Sequence, residues 1–95
     1  DNATLELNTS GTFDNVISGS GQVVKSGDDA LTLTSNVEAL GTGDVTDNAT
    51  LALNTGGDFI NNIGGTGRVE KSGDQTLTLS GANSYRGGTT ISGGT

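Results

Sequence analysis

Two acidic corners, "SGDD" at Ser26–Asp29 and "SGDQ" at Ser72–Gln75, are the first candidates for chemistry in this chain. Aspartates spaced by glycine suggest calcium, but the calcium-binding β-roll pattern G-G-x-G-x-D is absent. So is an EF-hand loop. Asp is also a turn former, because its side chain bonds nearby backbone, and both stretches are read as corners. The carboxylates next suggest polysaccharide cleavage, which needs acids converging in one groove with raised pKa or bound metal. Glu6 has Ala52 at the matching place 46 residues on, and Glu70 has Val24 at the matching place 46 residues back. Neither has a paired acid at a position evident in the sequence. With no histidine and no cysteine, a Ser-His-Asp triad and thiolate chemistry are both excluded. The residues therefore name no catalytic, cofactor-binding or metal-binding site, and the chain is read as not an enzyme.

Charge narrows the partners. The net charge is -7, and the only cations are Lys25, Arg68, Lys71 and Arg86. A nucleic-acid footprint needs clustered Lys and Arg, and an anionic membrane surface would repel this chain. The acid excess reads as a soluble, self-repelling surface. No apolar stretch is long enough to span a bilayer, and no signal peptide opens the chain. Any export signal or anchor is expected outside these residues.

The elements that must position these residues follow from an internal repeat. Asp1–Ser35 and Asp47–Gly81 align without a gap at an offset of 46, with 22 of 35 positions identical. The copies are 1–46 and 47–95. "TLEL", "QVVK", "LTLT", "TLAL", "RVEK" and "TLTL" alternate or nearly so and are rich in β-branched residues, which marks strands. Gly, Asn, Asp and Ser punctuate them as turns. No stretch keeps a helical period.

Apolar pairs recur along the chain. Leu5/Leu7, Leu31/Leu33, Leu51/Leu53 and Leu77/Leu79 form one series, spaced by 26, 20 and 26 residues. Val23, Val45, Val69 and Ile91 form a second, and Phe13/Ile17, Val37/Leu40, Phe59/Ile63 and Tyr85 a less regular third. The spacing predicts an all-β, right-handed parallel β-helix of about four coils of about 23 residues, with three strands per coil. In that reading each series is one inward column, Leu5 and Leu7 point in, and Phe13 stacks with Phe59. Leu33 and Leu79 are buried mid-column. Outward Thr ladders are interrupted by Ala30, Ala52 and Glu6, unlike a flat ice-binding array. A thin core of this kind accounts for an apolar fraction of only 29%. The absence of proline fits as well, since interior strands must give every N–H to a ladder.

"GTGRVEKSGDQTLTLSGANSYRGGTTISGGT", from Gly65, resembles the passenger-associated repeat of bacterial autotransporters (type V secretion). Gly65, Gly67, Val69, Lys71, Gly73, Thr76, Leu77, Thr78, Leu79, Gly81, Asn83, Tyr85, Gly87, Thr89, Ile91 and Gly94 fall on that pattern. Copy one follows it over "GSGQVVKSGDDALTLTSN" and then departs, with Ala39 where copy two has Tyr85. The resemblance implies a single β-helix fragment, 1–95, of a longer passenger, exported to the cell surface or secreted. It implies a structural stalk, of an adhesin or other virulence-associated protein, that assists folding and export. Its partners would be neighbouring coils of the same chain, with a host surface or self-association through the full passenger. A direct adhesive or self-associating face is the alternative, and a polysaccharide-acting enzyme the third reading. The family's pattern continues past "GGT", so Thr95 is expected to lie inside a longer protein.

Overall fold

The computed structural model describes residues 3–8, 11–13, 16–34 and 39–95. Its strands are β1 (Thr4–Leu7), β2 (Gly11–Phe13), β3 (Gln22–Lys25), β4 (Ala30–Leu33), β5 (Val45–Asp47), β6 (Thr50–Leu53), β7 (Gly57–Phe59), β8 (Ile63–Gly64), β9 (Arg68–Lys71), β10 (Leu77–Leu79) and β11 (Thr89–Ile91). Every pairing between them is parallel. They form three faces: β1-β3-β5-β8, then β2-β4-β6-β9-β11, then β7-β10. A parallel bridge between Ile17 and Leu40 carries the third face through the earlier turns. The chain passes from face to face in a constant sense, with no first-face strand between β10 and β11, and forms a parallel β-helix of about 4 turns.

The stacking differs from the columns that the apolar spacing predicts. Leu31 lies over Leu51, and Val23 over Val45, as expected. Leu5, however, pairs with Val23, and Leu77 with Gly57. Val69 stays on the face of Ile91 but pairs with Thr89. Phe13 pairs with Leu33 on the second face and Phe59 with Leu79 on the third, so the two rings do not stack. Val37 lies outside the described residues.

The physical reason is the length of a turn. Paired residues are 20 apart at Leu31–Leu51, 18 apart at Leu51–Val69 and 20 apart at Val69–Thr89. A turn is thus nearer 20 residues than 23, and 46 residues hold two turns plus one further face. Equivalent residues of the two copies therefore land one face apart. Leu5 is on the first face and Leu51 on the second; Leu31 is on the second and Leu77 on the third. The sequence repeat is real, but it is out of phase with the coil.

The core is where stacking is two-sided. Leu31, Leu33, Leu51, Leu53, Phe59, Ile63, Val23, Val45 and Val69 are buried, and so are Ala39 and Leu40. Strands with a neighbour on one side only are less covered. Leu7, Leu77 and Leu79 are half-buried against the core, Leu5 is 37% exposed and Ile91 60% exposed. The expected burial holds for Leu33 and is corrected for Leu79, and Leu5 is not enclosed.

Candidate functional site: paired lysine corners and the stacking edge

Alternation along β3 and β9 sends the valine and the lysine of "VVK" and "VEK" to the same side. Val23 and Val69 point into the core, so Lys25 and Lys71 do too, at 1% and 3% exposure. Each lysine Nζ turns back and donates to the next carbonyl, that of Ser26 or Ser72. The following glycines have φ of +86° at Gly27 and +82° at Gly73. A side chain there would suffer the left-handed strain and meet the Oδ1 of Asn8 or Asn54 in the preceding turn. "SGDD" and "SGDQ" are thus corners, as read from the sequence. Each copy builds the same corner, with Ser26 N–H donating to Leu7 and Ser72 N–H to Leu53, both at 3.2 Å.

What lies above the two lysines differs. Lys25 is paired in register with Asp47 on β5, which is 0% exposed. Lys71 is paired with Leu53 on one side and Ile91 on the other. Asp47 Oδ1 accepts the Ala49 N–H at 3.2 Å, and its Oδ2 has no hydrogen-bond partner. Burial raises the Asp47 carboxyl to about 6, against the opposing pull of the Ala49 N–H and of Lys25. A second buried polar group, Asn61, donates from Nδ2 to the carbonyls of Gly41 and Gly43 at 3.1 and 2.7 Å.

The remaining acids are dispersed. Asp28, Asp29 and Asp74 are exposed at the corners. Glu6 accepts from the Ser26 hydroxyl at 2.7 Å, Asp58 from Ser80 at 2.6 Å, and Glu70 pairs with Arg68 at 3.1 Å. Among the described residues no group of three His, Cys, Asp or Glu is placed to hold a metal ion. On the outside of the second face, Thr32, Ala52 and Glu70 stack in line, so the hydroxyl ladder is interrupted there too. An open hollow of about 280 Å³ lies beside Val16, Ile17, Ile60 and Asn61, and none of the described residues lining it is titratable.

The arrangement therefore does one thing well: it stacks. Beyond the strand ladders, N–H groups of one turn reach carbonyls of a neighbouring turn: Ser84 donates back to Ile63 at 2.8 Å, Arg86 back to Gly65 at 3.1 Å, and Leu77 forward to Thr95 at 2.8 Å. Tyr85 packs half-buried on the core and shares a hydroxyl hydrogen bond with Thr89, fastening the loop before β11. Its equivalent in copy one, Ala39, is fully buried.

The stretch from Val69 to the end, which holds the Lys71 corner, β10, Tyr85 and β11, matches the family model of the passenger-associated transport repeat over residues 69–95. That match, over 27 of the chain's 95 residues, together with the β-solenoid, fits an autotransporter passenger repeat. No match was found among curated proteins or among solved structures. The repeat occupies a little more than one turn, running from the second face round to the third and back. A passenger-associated transport repeat within a parallel β-solenoid fits a stalk segment of an autotransporter passenger. The buried lysines were missed in reading the sequence. The signal that finds them is period two, since Lys25 and Lys71 stand two residues after an inward valine.

Proposed function

We propose that this chain is a structural stalk segment of an autotransporter passenger, displayed on the bacterial surface or secreted, and that residues 1–95 are one stretch of a longer β-helix. The parent passenger is an adhesin or other virulence-associated protein, and the segment helps it fold and leave the cell. The observation that carries the reading is the passenger-associated transport repeat placed on the last turns of a parallel stack. A folded turn offers a row of backbone N–H and C=O groups, and the next turn folds by pairing with it. A turn folded outside the outer membrane cannot slip back, so successive stacking favours outward movement.

The test is surface display of an otherwise intact passenger. Leu77→Asp with Leu79→Asp places two carboxylates against the core and opposes stacking of the repeat's own turn. Protease-accessible passenger on whole cells should fall, with protein degraded or stalled in the periplasm. Leu5→Asp with Leu7→Asp should reduce display less, since that pair emerges later if export runs from the C-terminal side. Display at the unaltered level with the Leu77/Leu79 pair would remove this segment from any part in export.

A further inference from the structure

Among the described residues Asp47 is the one enclosed carboxylate, and its surroundings are asymmetric. On one side β3 brings Lys25, paired in register and itself enclosed. On the other side, the turn after β8 brings Gly65 and Gly67, whose α-carbons lie so close that an added Cβ would stand 2.3 and 2.7 Å from the Asp47 carbonyl. Neither glycine offers a charge or a side-chain donor. Asn48 points its Oδ1 towards the Thr66 N–H rather than towards Asp47. Within its own strand Val45 is apolar, and the inward residues of β6, Leu51 and Leu53, are apolar too. Lys25 is the one charge that acts on the carboxyl among the described residues. Its ammonium is held by the Ser26 carbonyl and makes no ion pair within 4.0 Å of Asp47. One carboxylate oxygen is left with nothing to accept from.

We propose that Lys25 and Asp47 form an acid-tightened joint between the second and third turns of the helix, in which protonation of Asp47 strengthens the stack. An enclosed carboxylate with an empty lone-pair direction is costly when ionised and cheap when neutral. The folded carboxyl, at about 6, holds its proton more firmly than the same group in the unfolded chain, at 3.8. Between those values the folded state binds more protons than the unfolded one. The contribution is therefore fully present below the unfolded value, falls as pH rises through the window, and is gone above about 6. Linkage converts this into a rise of about tenfold in the folding equilibrium constant between pH 7 and pH 5. The joint is a property of this chain whatever the passenger does.

The experiment is chemical denaturation of the chain at pH 7 and pH 5, with NMR titration of the Asp47 side-chain carboxyl. The unaltered chain should show the tenfold rise, and the Asp47 carboxyl should titrate well above the ordinary carboxylate range. Asp47→Asn should lose that increment, whereas Asp28→Asn, at an exposed corner, should keep it. Lys25→Met should move the Asp47 midpoint further up, because the cation favouring ionisation is gone. An Asp47 midpoint at or below about 4 would overturn the proposal. So would an Asp47→Asn chain whose pH profile parallels the unaltered one. If Asp47→Asn does not fold, the titration of the unaltered chain decides alone.

Discussion

Lys25 and Lys71 occupy the same place in two copies of one repeat, and they teach different lessons. Both are enclosed, both donate to the following serine carbonyl, and both precede a glycine with positive φ. Everything set by residues close in sequence is reproduced. Everything set by the turn above is not: Lys25 faces Asp47, and Lys71 faces Ile91. The residue 22 after Lys71, where Asp47 stands relative to Lys25, is Gly93, so the turn beside Lys71 has no acid there to offer. Local code is copied with the sequence, whereas the stacking neighbour depends on how many residues fill a turn.

Substitutions at equivalent positions separate those two levels. The largest difference is expected in the Leu columns. Leu53→Ala removes a side chain enclosed from both sides and should cost about 2–5 kcal/mol in chemical denaturation. Its equivalent Leu7 has a stacked neighbour on one side only, and Leu7→Ala should cost less than half as much. Equal losses would mean that the outer turn is covered in solution.

The lysines come next. Lys25→Met leaves ionised Asp47 without its one nearby cation and should destabilise at pH 7 by about 1–3 kcal/mol. Lys71→Met exchanges a cation lying between Leu53 and Ile91 for an apolar side chain of similar reach, and should be neutral or stabilising. Thermal unfolding of the two variants side by side checks the sign of each effect.

The corners should behave alike. Gly27→Ala and Gly73→Ala each force a Cβ into left-handed backbone, at about 1–2 kcal/mol apiece. Their effects should agree with one another, because the positive φ is nearly the same at both and the side chain met in the preceding turn, Asn8 or Asn54, is the same type too. Smallest of all, Thr32→Ala and Thr78→Ala alter outward side chains and should stay within about ±0.5 kcal/mol in either copy.

Much of this fold was legible before any coordinate. The alternating runs became β4, β6 and β9, the "SGD" stretches became corners, and parallel stacking followed from repetition. The phase was not legible. Aligning leucine pairs with leucine pairs assumes a whole number of turns per repeat, and nothing local in "TLEL" or "TLTL" says which face it joins. Leu5 meets Val23 rather than another leucine, and hydrophobicity alone cannot tell those partners apart. The candidate site was legible in part. "KSG" appears in both copies, but lysine counts as polar in any binary pattern, so nothing in the pattern marks Lys25 as enclosed. Aspartate is a common turn former, so nothing local in "DNAT" marks Asp47 as enclosed. Its enclosure depends on Gly65 and Gly67 from a later turn.

The one-face offset between copies makes a longer array of such repeats behave like a screw thread. A given surface feature advances to the next side of the prism with each copy and regains its first side only at the fourth. By then the chain has climbed seven turns, about 34 Å at the spacing of parallel strands. Identical residues would wind about the axis and leave no side of the rod privileged. A rod of this kind presents the same face in every direction, and a sparse label, such as one cysteine per copy at the position of Thr32, would trace a helix along it.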